Sequence, residues 1–288
     1  MPKENFQFAK TEVRGAFDGM AAYYASERGQ SPWFQALLKI VLAMLDSERG
    51  LVLDIGCAAG AEFEPLLARG FQIVALDYSP EMLRLAKQRF GKSSAVRLCR
   101  ADAESLPFPA ASFDHVVCLG VFEYLSTYDR CLEEIHRVLR PGGTAIISLP
   151  TRISLTRLSN KLCNLTAIPL WRTIKRLMGK HTSSQPVGKR WNRCIPWKVP
   201  ALLRRHGLNP EHSAYSGFLL FPLEHVWPAA EFRLFLWMER FSRSRILGWM
   251  LSQYIVSARK PGSGQRISTA SMTQGFPHCQ RTVEPMYD

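Results

Sequence analysis

Acidic residues are missing from one long central stretch of this 288-residue chain: no Asp or Glu occurs from Ile135 to Pro210, where 15 Lys or Arg occur. The rest of the chain has 22 basic and 24 acidic residues, so the formal net charge of +13 arises from this stretch, which we call the basic block. A basic excess along the whole chain would favour a nucleic-acid binder, whereas an excess confined to one segment indicates one anionic surface or ligand. The alternative is a solvated face without a specific partner.

Cysteine pairs, metal-ligand clusters and long apolar runs are also missing. The seven cysteines are odd in number and form no C-x-x-C pair, and no Cys and His residues have the spacing of a metal site. We therefore expect reduced thiols in a cytoplasmic protein without a bound metal. No apolar run reaches the roughly 18 residues that a membrane-spanning helix needs, and the N-terminus does not resemble a secretion signal. The 47% of apolar residues is ordinary for a globular core.

Strand and helix patterns alternate between residues 50 and 150. Short apolar runs predict strands at 51–55, 71–76, 95–99, 115–119 and 144–149. Helix patterns lie between them at 61–69 and 128–139, and a further helix opens at Ser79-Pro80, where Ser can cap it and Pro fits its first turn. This alternation predicts an α/β fold: a mostly parallel sheet with helices on both faces, in which ligands bind beyond the carboxyl ends of the strands.

Three acidic residues stand at the ends of three successive predicted strands. Asp54 lies in the run LVLDIGCAAG (51–60), in which Gly56 and Gly60 allow a tight turn and a close approach of the backbone to a ligand. Their spacing differs from the G-x-G-x-x-G pattern of dinucleotide-binding turns. Asp77 ends the second strand, where it can accept hydrogen bonds from two ribose hydroxyls, and Asp102 follows the third, where it can accept one from an adenine amine. Together they predict a nucleoside site at the carboxyl edge of the sheet.

These residues resemble the class I S-adenosylmethionine-dependent methyltransferases, in particular the group of the quinone- and biotin-pathway small-molecule enzymes. The resemblance covers residues 14–150 and is carried by LVLDIGCAAG (51–60), ALDYSPEMLRLAK (75–87), ADAESLPFPAASFDHVV (101–117) and EEIHRVLRPGGTAII (133–147), with FDGMAAYY (17–24) upstream and YIVSARKP (254–261) as a last strand. It implies a Rossmann-like methyltransferase fold whose last strand is antiparallel, with S-adenosylmethionine as the cofactor.

The resemblance also implies roles for individual residues. Those implied to bind the cofactor are Asp54, Gly56 and Gly60 at its methionine part, Asp77 at the ribose, Tyr78, Met82, Asp102 and Ala103 at the adenine, Leu119 near the amino-acid portion, and Tyr24 closing the site. For Met82 and Tyr24, packing is the alternative role. The chain departs from the family at Ala58, where the turn usually has Gly, and at Glu123-Tyr124, where many relatives have a His. Glu123 and Tyr124 are therefore the candidate catalytic residues.

The flanking segments predict a division into four parts. Residues 1–49 form an N-terminal helical cap over the cofactor site, with a helix from Ser31-Pro32 to Leu45, and residues 50–150 form the cofactor-binding core. Residues 151–260 combine a basic helical insertion after the fifth strand with an acceptor-binding region and closing strands. An amphipathic helix at 152–166, helices at 199–206 and 231–241, and a strand at 253–258 are expected there. Residues 261–288, rich in Gly, Ser, Thr, Gln and Pro, are expected to be disordered.

Three hypotheses about function stay open at this point. The favoured one is methylation of a small or lipid-like acceptor, with Trp171, Trp191 and Trp197 of the basic block at an anionic membrane, the inner membrane surface. The second is an RNA methyltransferase whose basic block binds phosphates. Nucleic acid is the less favoured partner because the D/N-P-P-Y element of base-amine methyltransferases is absent. The third is a module that binds S-adenosylmethionine without catalysis.

Overall fold

The computed structural model describes residues 10–47, 49–125, 127–155, 157–158, 192–217, 233–234, 237–238, 240–244 and 248–262. Several of the features expected from the sequence therefore have no structural description. Most of the 152–166 and 231–241 helices, Trp171, Trp191 and nearly all of the 261–288 tail lie outside the described residues.

A seven-stranded sheet forms the centre of the part of the chain that the structure describes. Its strands are β1 (Gly50–Ile55), β2 (Phe71–Asp77), β3 (Val96–Arg100), β4 (Phe113–Cys118), β5 (Leu139–Pro150), β6 (Asn209–Ser216) and β7 (Gln253–Arg259). The order across the sheet is β3-β2-β1-β4-β5-β7-β6. Strand β7 runs antiparallel to β5 and β6, and the other neighbouring pairs are parallel. This topology confirms the predicted α/β fold with a mostly parallel sheet and an antiparallel last strand.

Helices cover both faces of the sheet, as predicted. They are α1 (Lys10–Ser26), α2 (Pro32–Met44), α3 (Phe63–Ala68), α4 (Pro80–Phe90), α5 (Asp129–Val138) and α6 (Val199–Arg205). Successive residues of a strand point to opposite faces, so Val52 of β1 packs in a cluster with α2, α3 and α4, while its neighbour Leu53 packs in a second cluster with α5 and α6. The predicted cap of α4 is present, because the Ser79 hydroxyl accepts a hydrogen bond from the Met82 backbone at 3.1 Å.

Two features of the sheet differ from the sequence-based prediction. The Pro141-Gly142-Gly143 run, expected to separate a helix from a strand, lies inside β5, and the pairing of β5 with β4 shifts register beside it. Strand β6 has no strand-like sequence pattern. It is a largely exposed edge strand with Pro210 at a register shift, and such a strand needs neither apolar alternation nor a complete set of backbone donors.

Candidate functional site

A cleft opens at the carboxyl ends of β1, β2 and β4, next to helix α1. It contains roughly 1000 Å³ of atom-free space, including space open to solvent. Most of the residues singled out in the sequence line it: Tyr24, Gly56, Asp77, Tyr78, Asp102, Ala103, Leu119 and Tyr124. Asp54, Gly60, Met82 and Glu123 lie outside this lining.

The turn after β1 adopts left-handed backbone conformations. Gly56 has φ +75°, and a Cβ placed there would lie 2.2 Å from Cγ2 of Val121, so this position requires glycine. Ala58 has φ +46°, a conformation that an L side chain rarely adopts. The turn therefore keeps its shape with Ala at the position where the family usually has Gly, at a cost in backbone strain.

Asp77 is held by the same turn. The backbone N–H of Ala58 donates to Asp77 Oδ2 at 2.9 Å, and that of Ser79 donates to Oδ1 at 2.8 Å. Burial raises the pKa of Asp77 to about 6, and these backbone hydrogen bonds limit the rise. The backbone of Tyr78 donates a third hydrogen bond to this carboxylate. Because a carboxylate has about four acceptor positions, it can accept a further hydrogen bond from a ligand hydroxyl. The position fits the predicted ribose contact.

Asp54 lies beneath the cleft wall, and a carboxyl group missed by the sequence analysis takes its place at the cleft. Asp54 is fully buried, and no donor from the described residues reaches either of its carboxylate oxygens. Glu62 lines the cleft near Asp54, and its charge adds to the rise in the pKa of Asp54 that burial causes. Burial raises the pKa of both groups, most strongly that of Asp54. In the sequence, Glu62 shows only as a single charged residue between Ala61 and Phe63.

Aromatic rings of Phe17, Tyr24 and Tyr124 line one part of the cleft, which we call its mouth. A cation that the sequence analysis missed lies beside them. The ring of Phe17 on α1 meets Tyr24 edge-on at 5.8 Å and Tyr124 at 4.9 Å between centroids. The guanidinium of Arg28 lines the cleft 4.6 Å from the centroid of the Tyr24 ring and also stacks on Trp33. Tyr24 therefore both lines the cleft and packs, which combines the two roles considered for it.

Glu123 lies just behind this mouth. It is buried, its Oε2 has no hydrogen-bond partner among the described residues, and its carboxyl group is hydrogen-bonded to Tyr124, which lines the cleft. Burial raises the pKa of Glu123 to about 7, and the nearby cations Arg28 and Arg157 oppose the rise. The backbone oxygen of Glu123 accepts a hydrogen bond from the Asn192 N–H at 3.1 Å. The basic block is thereby attached to the site at Asn192.

Met82 and Gly60, the remaining two residues predicted from the sequence to bind the cofactor, are packed against other side chains or buried. Met82 is fully buried, and its place outside the cleft lining is consistent with the alternative role of packing. Gly60 has φ +74°, and a Cβ there would meet the ring of Phe63 at 2.6 Å. No group of three or more His, Cys, Asp or Glu in the described part of the chain is arranged to hold a metal ion.

The residues present fit S-adenosylmethionine. Asp77 and Asp102 offer acceptors for a ribose and an adenine, and Gly56 lines the cleft without a side chain. The methionine part of this cofactor carries an α-ammonium, and Glu62 in the cleft lining, with Asp54 behind it, offers carboxyl groups for it. The fit thus rests on the carboxyl groups in and behind the cleft wall.

Comparisons with known proteins agree with this geometry. Residues 53–147 match the family model described as a methyltransferase domain. The chain is 32% identical over 190 residues to the biotin biosynthesis bifunctional protein BioHC of Cellvibrio japonicus, covering 65% of this chain and 36% of that protein. It is 40% identical over 99 residues to the demethylmenaquinone methyltransferase of Deinococcus radiodurans, covering 33% of this chain and 41% of that protein. The chain therefore spans less than half the length of these two relatives.

Solved structures share the fold at lower identity. The 1,6-didemethyltoxoflavin-N1-methyltransferase of Burkholderia thailandensis, bound to its substrate and S-adenosylhomocysteine, has a TM-score of 0.54 and 18% identity, covering 90% of this chain and 94% of that one. An S-adenosylmethionine-dependent methyltransferase of Mesorhizobium loti has a TM-score of 0.53 and 20% identity, covering 78% and 97%. The cyclase SpnF has a TM-score of 0.55 at 17% identity, covering 87% and 95%. Likeness at this level therefore shows the fold, and the activity has to be argued from the site.

Proposed function

Residues 53–147 are a class I S-adenosylmethionine-dependent methyltransferase domain, and from this premise we propose that the chain methylates a small or lipid-like acceptor by in-line transfer. The observation that carries this proposal is the aromatic mouth of the cleft. Phe17, Tyr24 and Tyr124 surround the entrance, with Val121 and Leu125 beside them. A flat or apolar acceptor matches this lining better than a polyanion does.

S-adenosylmethionine supplies, when bound, a methyl group on a sulfonium that is already activated for displacement. The protein then has to align the acceptor with this group and exclude water, which together account for a large part of the rate enhancement in such reactions. Helix α1 contributes Phe17 and Tyr24 to the cleft, and it packs against α4. These contacts support the proposal that the N-terminal segment covers the site.

Glu123 and Tyr124 are proposed to take up the proton that an acceptor with a hydroxyl or amine group loses. Tyr124 lines the cleft and is hydrogen-bonded to Glu123, whose pKa of about 7 places it between its two protonation states at neutral pH. A proton accepted at the Tyr124 hydroxyl can be matched by the transfer of the tyrosine's own proton to Glu123. Burial raises the pKa of Tyr124, so the tyrosine itself stays neutral throughout.

The curated relatives support this acceptor class, since one is named for demethylmenaquinone and another for biotin biosynthesis. Contact with an anionic membrane stays a prediction. It rests on Trp197, which is 73% exposed beside Lys198 in the described part of the basic block. No helix of the described residues is long and apolar enough to cross a membrane.

The test uses the purified full chain with S-adenosylmethionine labelled on the methyl group. It is incubated with the small-molecule and lipid extract of a strain that lacks the gene for this chain. The extracts of this deletion strain and of its parent strain are also compared by mass spectrometry. We expect label in one low-mass species, whose precursor in the deletion strain is lighter by one methylene. The Asp77→Asn variant is the control that should lose the signal. Label in RNA alone, with salt-sensitive RNA binding, would contradict the proposal and support the RNA hypothesis.

A further inference from the structure

Helix α1 is tied to the segment between β2 and α4 by a hydrogen bond that lies outside the cleft lining. The Ser79 hydroxyl donates to Asp18 Oδ1 of α1 at 2.5 Å, and it accepts from the Met82 backbone in the first turn of α4. The backbone N–H of the same serine donates to Asp77 Oδ1 at 2.8 Å. One buried residue, Ser79, therefore connects α1, α4 and the carboxylate that fits the ribose.

The same helix carries side chains that line the cleft. Phe17 and Tyr24 of α1 belong to the lining, and the Phe17 ring meets the Tyr124 ring edge-on, with 4.9 Å between the centroids. Asp18 directly follows Phe17 in the chain. A hydrogen bond at Asp18 therefore fixes the part of α1 that holds the Phe17 ring at the cleft, although Asp18 itself does not line it.

Two glycines weaken the intrinsic helix preference of α1. Gly15 and Gly19 lie in the interior of the helix, and among the described residues no atom lies within 4 Å of a Cβ built at either position. Neither close packing nor a left-handed backbone therefore requires glycine there. Each glycine disfavours the helical state about fivefold relative to alanine. The helix depends correspondingly on its tertiary contacts, of which the Asp18–Ser79 hydrogen bond is one.

We propose that Asp18 is a positioning residue that holds α1 closed over the cleft, and that α1 opens for ligand exchange when its hydrogen bond to Ser79 breaks. The inference rests on the proposed function, because the ligand is that of a methyltransferase. The closed helix keeps Phe17 and Tyr24 at the site, where they align the acceptor and exclude water. The open helix lets S-adenosylhomocysteine leave, since a helix of low local stability opens without unfolding of the sheet.

The experiment follows the opening of α1 and the release of ligand in the same full-length protein. Hydrogen exchange, read by mass spectrometry, compares the amides of α1 with those of β1 and β4. Stopped-flow displacement gives the dissociation rates of S-adenosylhomocysteine and of 5′-methylthioadenosine, which has the same nucleoside but no amino-acid part. The two ligands should respond equally, because opening of α1 precedes the release of either one.

In Asp18→Ala, we expect exchange in α1 and dissociation of both ligands to be about 10- to 100-fold faster, the range for a lost hydrogen bond to a charged group. Exchange in β1 and β4 should not change. Alanine favours the helical state more than aspartate does, so a role limited to helix propensity would slow the exchange of α1 instead. The direction of the change therefore separates the two roles.

Further variants isolate the hydrogen bond. Asp18→Asn retains an acceptor oxygen for the Ser79 hydroxyl and should restore most of the slow dissociation. Gly19→Ala is the matched variant on the same helix, and it should slow the exchange of α1 about fivefold. In a double-mutant cycle, Asp18→Ala should have little further effect in the Ser79→Ala background, because the hydrogen bond is already lost there.

Rates in Asp18→Ala that equal those of the unchanged protein would overturn the inference. An effect of the same size with and without Ser79 would also overturn it, since Asp18 would then act through another contact. So would faster exchange throughout the sheet, which shows a global loss of stability, or faster dissociation of one ligand only, which shows a lost direct contact. If neither ligand binds the unchanged protein, the proposed function fails instead, and exchange of α1 in the free protein still tests the role of Asp18.

Discussion

Replacing Ala58 with Gly is expected to leave the protein equally stable or to stabilise it, although the substitution removes a side chain next to the cofactor site. Ala58 has φ +46°, and an L side chain in this region costs about 1–2 kcal/mol. Glycine removes this strain but gives the unfolded chain more freedom, which costs about 0.4–1 kcal/mol. The net change in the free energy of unfolding is then between about 0 and +1.5 kcal/mol.

Gly56→Ala is the opposite perturbation two residues earlier. The left-handed φ of +75° imposes the same kind of strain, and the new Cβ would lie 2.2 Å from Cγ2 of Val121. Overpacking of this kind costs about 1–3 kcal/mol, so together with the net backbone strain we expect a loss of about 1–4 kcal/mol. Affinity for S-adenosylhomocysteine should fall as well, because Gly56 lines the cleft.

Urea unfolding of the unchanged protein, Ala58→Gly and Gly56→Ala measures these differences in the free energy of unfolding, with Ala111→Gly as a control. Ala111 has φ +54°, the same backbone region, and lies outside the cleft lining. Ala58→Gly should also retain its affinity for S-adenosylhomocysteine, because the backbone N–H that donates to Asp77 is retained. A loss of more than about 1 kcal/mol in Ala58→Gly would refute the reasoning, since the sum of strain and entropy leaves no room for it.

Three further predictions concern the titrating groups. Affinity for 5′-methylthioadenosine should fall by up to about tenfold per pH unit below pH 6, where Asp77 becomes protonated and loses its negative charge, and Asp77→Asn should remove this dependence in calorimetry. The same raised pKa means that the contribution of Asp77 to stability is present below about pH 4 and is lost as the pH rises through about 6. Unfolding curves of the unchanged protein and of Asp77→Asn, measured across this pH range, test this. Glu123→Gln should slow methyl transfer about 10²- to 10⁴-fold and remove a rate dependence centred near pH 7, while binding of S-adenosylhomocysteine is unchanged; an unaltered rate profile would rule out Glu123 as the proton acceptor.

Much of the fold follows from local patterns. The strands of the core are short apolar runs between turn signals, and their parallel arrangement follows from the alternation with helices. Because the carboxyl ends of parallel strands meet at one edge, Asp77 and Asp102 could be placed in one cleft without coordinates. Strand β6 has no such signal, since an exposed edge strand is held by its pairing with β7.

The sequence by itself determined the parallel core strands, the glycine turn and the acidic residues at the strand ends, because each shows as a pattern of residues close in the chain. Only the tertiary structure decided which side chains face the ligand. Asp54 lies behind Glu62, and Arg28 reaches the cleft from the segment between α1 and α2. Glu123 is held behind Tyr124, where Asn192 of the basic block is attached to it. These arrangements join segments that are far apart in the chain, and burial at such junctions sets both the exposure and the charge state of a group.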